Sequence, residues 1–398
     1  MSEKLLVPAG FRAAGVRAGI KASGTPDLAV LVADRPCAAA GTFTTNRIAA
    51  APVQWDRERV PAGDVRAVVI NAGNANAATG AQGLENVRRT AEIAADRLGC
   101  RPDQVLIAST GVIGHQLPMD KVEAGLKQAL AAASSEEEAF LAAAQAILTT
   151  DTKPKVVSRV AVIGDQSVRL LGLAKGAAMI GPRMATMLGF LLTDARIAPS
   201  LLQGILSEAV EESFNCISVE GHTSTNDTVL LLASGDGDRP APKGNDLKAF
   251  AALVRDACTE LARMIADDGE GATHLITVDV SGCRDREAAR AIARAVADSP
   301  LVKTAIHGAD PNWGRIVSAA GYAGVVFQES ELSLWLNDTP LYRDGAPLPF
   351  DAPAVSALLR ARRDTHIRLT LNQGTAAIRF WTCDLTADYI RLNADYTT

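Results

Sequence analysis

The chain has 398 residues, of which 48% are hydrophobic and 21% are charged, and its formal net charge is −5. This composition is typical of globular proteins with a large buried core and excludes an intrinsically disordered chain. The sequence contains neither a block of basic residues nor a long uncharged apolar run. Nucleic acid and membrane are therefore not expected as partners.

The N-terminal residues contain no apolar segment followed by a small-residue cleavage site, which a secretory signal peptide requires. We therefore expect a cytoplasmic protein. The six cysteines include no Cys-x-x-Cys pair, and the five histidines lack the spacing of metal ligands. Reduced thiols and the absence of a structural metal are expected from these spacings.

Short apolar segments rich in Val, Ile and Leu predict buried strands. In chain order these segments are residues 28–33, 67–72, 104–109, 156–164, 228–234 and 275–280. Apolar residues at spacings of three and four predict helices between them, at residues 83–98 before Gly99, 119–132 and 246–266. Ser135 and Glu138 have the spacing of a capping box and predict the start of a further helix that reaches Ile147. The pattern is that of a mixed α/β protein.

The C-terminal third has a different pattern. Residues 331–338 and 365–386 alternate apolar and polar side chains around the turn Asn372-Gln373-Gly374, which predicts antiparallel pairing. Residues 235–246 are rich in Gly, Pro and Asp and predict a loop or a structural boundary. We therefore expect an α+β part from about residue 275 to residue 398.

One apolar segment, KGAAMIGPRMATMLGFLLTDA at residues 175–195, holds a threonine between Met-Ala and Met-Leu. A threonine hydroxyl is a weak nucleophile without a base, and the sequence shows no Ser-His-Asp order or GxSxG motif. A cut after Ala185 would give Thr186 a free α-amino group, with a pKa of about 8, beside its own hydroxyl. From these residues alone, a buried structural threonine is the commoner alternative.

Motifs along the whole chain resemble the ornithine acetyltransferase family of arginine biosynthesis, also called glutamate N-acetyltransferases. Besides the segment around Thr186, they are VPAGFRAAGVRAGIK, AGTFTTNRIAAAPV, INAGNANAATG, STGVIG, TTDTKPK, STNDTVLLLASG, DDGEGATHLI, GADPNWGRI and LNADYTT. The resemblance implies a four-layer αββα sandwich of the self-processing type, with a mixed α+β C-terminal part. It implies no cofactor.

The resemblance also implies the chemistry. The precursor would cut itself between Ala185 and Thr186 into an α chain, residues 1–185, and a β chain, residues 186–398. Thr186 would take the acetyl group from N-acetylornithine and pass it to glutamate. Thr110 and Gly111 match the oxyanion-hole positions of the family, where donors stabilise the charge on a carbonyl oxygen under attack. A tight turn is the structural alternative for this pair.

Further positions are carried over from the family as substrate contacts. They are Thr152, Lys175, Thr186, Glu270, Asn393 and Thr398. A cation at Lys175 suits a substrate carboxylate and would keep the Thr186 amine neutral by repulsion. A carboxylate at Glu270 suits the amino groups of ornithine. A solvated lysine and a glycine-flanked turn are the structural alternatives for Lys175 and Glu270.

The motif GADPNWGRI has no catalytic role that we can assign, and we expect a rigid turn that supports the site or a subunit contact. Its distinctive residues are Asp310, Asn312, Trp313 and Arg315. The resemblance implies assembly of the processed chains as α2β2 or larger. The sequence leaves open whether acetyl-CoA is a second acetyl donor.

The chain departs from the family pattern at six positions. The family commonly has cysteine at Ala78, Ser-Gly at Ala177-Ala178, asparagine at Arg183, aspartate at His222 and lysine at His274. Arg183 lies three residues before Thr186, so it bears on the rate of self-cleavage. The departures keep two alternatives open, an N-terminal-nucleophile aminopeptidase or amidohydrolase and an unprocessed, non-catalytic binding protein.

Overall fold

The computed structural model describes residues 4–181, 187–235 and 240–395. The predicted cleavage residues Ala185 and Thr186, the departure Arg183 and the predicted contact Thr398 therefore lie outside the described residues. The chain divides into two compact units. The first comprises residues up to Asn215 together with Thr223–Ile265, and the second comprises Cys216–His222 and residues from Ala266 onward.

The described residues form fifteen strands and eleven helices. The strands are β1 (Phe11–Val16), β2 (Leu28–Phe43), β3 (Ala62–Asn74), β4 (Val105–Val112), β5 (Lys155–Ile163), β6 (Gln166–Lys175), β7 (Leu188–Thr193), β8 (Ile217–Ser218), β9 (Thr228–Ala233), β10 (Leu275–Cys283), β11 (Ser333–Leu336), β12 (Thr339–Arg343), β13 (Ala346–Pro347), β14 (Asp364–Thr370) and β15 (Ala376–Cys383). The helices are α1 (Ala51–Arg57), α2 (Gly80–Leu98), α3 (Met119–Ala132), α4 (Glu137–Ala146), α5 (Pro199–Glu212), α6 (Asn245–Asp267), α7 (Arg286–Asp298), α8 (Pro300–His307), α9 (Trp313–Gly321), α10 (Ala352–Ala361) and α11 (Ala387–Asp395).

The first unit is built on an eight-stranded sheet in the order β4-β3-β2-β9-β7-β6-β5, with β1 paired to β2. Alternate residues of β2 enter two cores: Leu31 packs with Phe140 of α4, and Val30 packs with Val87 of α2 and Leu126 of α3. Helices therefore cover both faces of this sheet. β7 and β9 are buried along their whole length, which explains their uninterrupted apolar sequences.

The second unit is built on a seven-stranded sheet in the order β13-β12-β11-β14-β10-β15-β8. Helix α7 packs against β10 and β15 and buries one face, which includes Ile292 and Val296. None of the described helices is long and apolar enough to cross a membrane.

The mixed α/β class is confirmed. The six predicted strands are confirmed as β2, β3, β4, β5, β9 and β10, and three predicted helices as α2, α3 and α6. Helix α2 ends as expected, because Gly99 adopts the left-handed conformation with φ of 62° and closes the last turn.

The predicted capping box at Ser135 is wrong. Helix α4 begins at Glu137, and its N-cap residue is Glu136, whose side chain makes no capping hydrogen bond. Ser134, two residues before this N-cap, forms two backbone hydrogen bonds with Ala13, of 2.9 and 3.0 Å. We attribute the shifted helix start to this bridge, because it fixes the chain immediately before the helix.

The predicted antiparallel pairing is confirmed between residues 331–338 and 365–386, because β11 pairs antiparallel with β14. The predicted pairing across the turn 372–374 is wrong. β14 and β15 are not partners, because β10 lies between them, parallel to β14 and antiparallel to β15. The N–H groups of Gln373 and Gly374 donate to the carbonyl oxygen of Gly282, at 2.9 and 3.0 Å. The connection therefore passes over the end of β10 instead of closing a hairpin.

Candidate functional site

Lys175 is the last residue of β6, and its side chain is only 2% exposed. Its ammonium group donates to the hydroxyl oxygens of Thr149 and Thr110, at 2.7 and 3.3 Å. Since an ammonium group has no acceptor, both hydroxyls must accept, and each keeps its own proton for another partner. The structure thus brings together two predicted site residues, Lys175 and Thr110, in the first unit.

A carboxylate that sequence reasoning missed lies beside this ammonium group. Asp151 Oδ2 is 3.8 Å from Lys175 Nζ, and Oδ1 is 2.8 Å from Lys155 Nζ and 2.6 Å from the backbone nitrogen of Gly176. Burial of the Asp151 side chain opposes ionisation, but the two lysines and the Gly176 N–H hold its pKa well below the usual range. Asp151 is therefore a carboxylate that stabilises two buried cations.

Gly111 lies next to Thr110 within β4, so the pair is part of a strand and does not form a turn. In the register of the sheet Gly111 is opposite Gly73 of β3. Its φ is 133°, and a Cβ atom at this position would lie 2.3 Å from the carbonyl carbon of Gly73. Only glycine fits here, because the two backbones approach so closely.

Asp227 is a second buried carboxyl group that sequence reasoning missed. Its Oδ1 accepts from the N–H of Met187, the residue after Thr186, at 3.1 Å. Its Oδ2 is also buried. Burial raises the pKa of Asp227 well above its usual range, although the Met187 N–H favours the charged form. The one available signal was an acidic residue immediately before an uninterrupted apolar strand, β9.

The residue before Asp227 fixes the same region. The amide of Asn226 donates to the carbonyl oxygens of Ala75 and Ser109, at 2.6 and 2.8 Å. Ser109 directly precedes Thr110 in β4. The segment before β9 is therefore hydrogen-bonded to the strand that carries the predicted oxyanion-hole residues.

Two predicted substrate contacts come together in the second unit. Asn393 of α11 donates to Glu270 Oε2 at 2.8 Å. The hydroxyl of Thr386 accepts from the N–H of Tyr389 in the first turn of α11 and donates to the carbonyl oxygen of Gly271. The turn at Glu270 is thus tied to the start of the helix that carries Asn393, so a structural role and a substrate role are both compatible with this geometry.

Of the other predicted residues, Thr152 is exposed next to Asp151. In GADPNWGRI the side chain of Asn312 caps α9 by accepting from the N–H of Arg315, at 3.2 Å, and Trp313 stacks on Tyr342 with ring centroids 5.5 Å apart. These contacts give Asn312 and Trp313 local structural roles, and the expected support of the site or of a subunit contact stays a prediction.

The residues that depart from the family pattern, where the structure describes them, differ in burial and in their contacts. His274 is buried: its Nε2 faces the carbonyl oxygen of Leu359 at 3.0 Å, and its Nδ1 faces Asp384 Oδ2 at 3.2 Å. His222 is exposed, and Ala177 is buried. His274 therefore has a local structural explanation within the second unit.

The sequence model of the ArgJ family matches residues 12–398. The chain is 48% identical over 409 residues to the arginine biosynthesis bifunctional protein ArgJ of Synechococcus sp., covering 100% of this chain and 98% of that protein. It is 49% identical over 394 residues to the protein of the same name from Thermus thermophilus, covering 98% and 99%.

A crystal structure of the arginine biosynthesis bifunctional protein ArgJ of Bacillus halodurans is also similar. The identity is 40%, the TM-score is 0.50, and the match covers 51% of this chain and 96% of that one. Since the family model and the two relatives match almost the entire length, the chain belongs to the ArgJ family of arginine-biosynthesis enzymes.

Proposed function

We propose that the protein is a self-cleaving threonine acyltransferase that moves the acetyl group of N2-acetyl-L-ornithine to L-glutamate through an acetyl-Thr186 intermediate. The observation that carries this proposal is the buried hydrogen bond from Lys175 to Thr110, next to the glycine-only position Gly111. Thr110 supplies a hydroxyl whose proton is available to donate, Gly111 supplies a backbone N–H, and Lys175 supplies a cation in the same place.

Self-cleavage comes first. The Thr186 hydroxyl attacks the carbonyl carbon of Ala185, and the peptide C–N bond breaks as its nitrogen takes the proton. Breakage of this bond frees the α-amino group of Thr186. Water then hydrolyses the resulting ester, which frees the hydroxyl of Thr186 and separates the two chains. The crystal structure of the Bacillus halodurans protein supports such a cut. The match covers 96% of that chain but only 51% of this one, as expected if that chain is one product of a cut near the middle of the sequence.

Acetyl transfer then uses the new amine as base. The amine takes the proton of the Thr186 hydroxyl while its oxygen attacks the acetyl carbonyl carbon, and Thr110 and Gly111 donate to the developing oxyanion. Collapse breaks the amide bond, and the ornithine nitrogen takes the proton. Attack of the glutamate amine on the acetyl ester reverses these steps and releases N-acetylglutamate. Lys175 keeps the Thr186 amine neutral by charge repulsion.

We also propose the substrate contacts, the assembly and the location of the protein. Thr152, Glu270, Asn393 and Thr398 contact the substrates, the processed chains assemble as α2β2 or larger, and the protein acts in the cytoplasm. The names of the relatives, which describe bifunctional proteins of arginine biosynthesis, support this pathway. A parallel assay with acetyl-CoA in place of N-acetylornithine tests whether acetyl-CoA is a second donor.

The test uses purified protein and N-acetylornithine that carries a deuterated acetyl group. We expect intact-mass analysis to find two chains, one beginning Thr186-Met187-Leu188, and we expect the deuterated acetyl group to appear in N-acetylglutamate. Thr186→Ala should remain a single chain of 41.6 kDa without activity. Free acetate without N-acetylglutamate would identify a hydrolase of the aminopeptidase type. An uncut, inactive wild-type chain would identify a binding protein.

A further inference from the structure

A second lysine, Lys21, lies in the loop between β1 and β2 and has no role in the mechanism above. The loop is rigid because the fully buried carboxylate of Asp27 accepts three of its backbone N–H groups. They are those of Ala18, Ile20 and Lys21, at 2.6, 2.6 and 2.9 Å. The start of the Lys21 side chain is therefore fixed by the fold.

This loop covers the strand next to the predicted oxyanion hole. A Cβ atom at Gly73 would lie 2.8 Å from Lys21 Cγ and 3.3 Å from the Lys21 nitrogen, so the stem of Lys21 rests directly on Gly73. Gly73 is in register with Gly111. Lys21 is thus separated from Gly111 by a single glycine.

The two lysines of the site differ in the donors they have left. The ammonium group of Lys175 already faces Thr149, Thr110 and Asp151. The ammonium group of Lys21 donates to the carbonyl oxygen of Pro26 at 2.7 Å and forms no ion pair with any residue in the described part of the chain. Two of its three N–H groups remain for another acceptor.

The electrostatic surroundings of Lys21 also favour the binding of an anion. Burial lowers the pKa of Lys21, Lys175 lowers it further, and Asp27 and Asp151 oppose them. A partly desolvated ammonium group close to a second cation gains more from a carboxylate than a solvated lysine does.

We propose that Lys21 is a substrate-binding residue of this site and that its ammonium group receives the α-carboxylate of the amino-acid substrates. This inference rests on the proposed function. N-acetylornithine and glutamate both carry an α-carboxylate. In the proposed reaction they bind in turn at the same place beside Thr186, N-acetylornithine as the acetyl donor and glutamate as the acetyl acceptor. One cation therefore serves both half-reactions.

The test compares Lys21→Gln and Lys21→Met with the matched control Lys121→Gln. Lys121 donates to the carbonyl oxygen of Gly19 in the same loop, at 2.7 Å, so its replacement also removes one anchor of the loop. Glutamine at position 21 keeps a donor for Pro26 without the charge. All variants are first checked for self-cleavage and thermal unfolding against the wild type.

We expect both Lys21 variants to raise KM for N-acetylornithine and for glutamate about 10- to 100-fold with kcat within a few-fold of wild type. Lys121→Gln should match the wild type. With N-acetylputrescine, which is the donor without its carboxylate, wild type and Lys21→Gln should have equal kcat/KM. Unchanged KM values, or an equal loss on N-acetylputrescine, would overturn the proposal for Lys21.

Failure of the proposed function is recognised separately, because the wild type would then transfer no acetyl group. In that case calorimetric titration with glutamate decides about Lys21. Affinity that is at least 10-fold weaker in Lys21→Gln than in the wild type and in Lys121→Gln would support a carboxylate site. Equal affinity, or the absence of glutamate binding by the wild type, would overturn it.

Discussion

The hydroxyl of Thr110 has one hydrogen bond whose direction is certain, because the ammonium group of Lys175 can only donate. We predict that Thr110→Val slows acetyl transfer by about 100- to 1,000-fold, the usual effect of losing one oxyanion donor. Valine keeps the shape but removes an acceptor of the buried Lys175 ammonium group, so the free energy of unfolding should fall by about 1–3 kcal/mol. Steady-state kinetics of the processed enzyme measures the effect.

The matched control for this prediction is Thr149→Val. It removes the other hydroxyl that accepts from Lys175, at 2.7 Å, without removing a predicted oxyanion donor. We expect a smaller loss of rate than in Thr110→Val. If the two variants lose the same factor, Thr110 acts only by holding Lys175.

A second prediction concerns the glycine-only position in β4. Gly111→Ala would place a methyl group 2.3 Å from the backbone of Gly73, so we expect disrupted strand pairing, a lower melting temperature and loss of activity. Gly114→Ala is the control, because Gly114 also has a positive φ, 84°, but no atom lies within 4 Å of its added Cβ. It should lose only about 1–2 kcal/mol from backbone strain. Equal effects in both variants would show that strain, and not the close approach, restricts Gly111.

Asp227 gives a prediction about pH. Burial raises its folded-state pKa, so the unfolded chain releases the proton first as the pH rises above about 4. Folding is then destabilised by about 1.4 kcal/mol per pH unit until the folded-state pKa is reached. Asp227→Asn keeps an oxygen for the Met187 N–H and cannot ionise. Its free energy of unfolding should equal that of the parent near pH 3 and exceed it increasingly above pH 4.

Both chains in this comparison carry Thr186→Ala, so that neither is cut, and denaturant unfolding is measured at several pH values. Asp151→Asn serves as the control of opposite sign. Its pKa is lowered by two lysines, so removal of the charge should destabilise the fold at neutral pH by about 3–5 kcal/mol. A pH-independent difference for Asp227→Asn would contradict a raised pKa.

The residues of the site were only partly predictable. Lys175, Thr110 and Gly111 were identified through the family resemblance, and the structure places Lys175 beside Thr110. Asp151 and Asp227 were missed because their significance depends on burial and on partners distant in the chain. Asp227 reaches Met187 across 40 positions, and no local sequence pattern indicates such a contact.

At the scale of elements, strand existence was predictable and strand partners were not. A continuous apolar run such as that of β9 marks a buried strand wherever it pairs. The alternating pattern of β14 and β15 also marked strands, but it carries no information about which strand lies between them. The insertion of β10 depends on a backbone crossing at Gly282, where a Cβ atom would lie 1.8 Å from the carbonyl oxygen of Leu371.

This crossing can be tested by substitution. We predict that Gly282→Ala lowers the free energy of unfolding by about 1–3 kcal/mol more than Gly324→Ala does. The two glycines share a φ of 75°, and only Gly324 has open space where the methyl group would enter. Backbone strain is therefore matched, and the difference isolates the clash with Leu371. Denaturant unfolding measures it, and equal losses would show that the strand end moves to accept the methyl group.

At the scale of the whole molecule, the predicted cut separates residues that share one sheet. The α chain, residues 1–185, supplies β1 to β6, whereas the β chain supplies β7 and β9. β7 pairs with β6, and β9 pairs with β2, so two antiparallel ladders join the products. Leu173 of β6, Phe190 of β7 and Leu230 of β9 lie in the same buried core.

We therefore predict that the two products stay together after cleavage and that the α chain does not fold alone. Separation would open the edges of β2 and β6 and expose the buried leucines of the shared core, which favours aggregation. Size-exclusion chromatography in native buffer should give one peak that resolves into two bands on a denaturing gel, and Thr186→Ala should elute at the same volume with one band. The α chain expressed by itself should be insoluble. Two separate native peaks, or a soluble and compact α chain, would show that the shared sheet does not hold the products together.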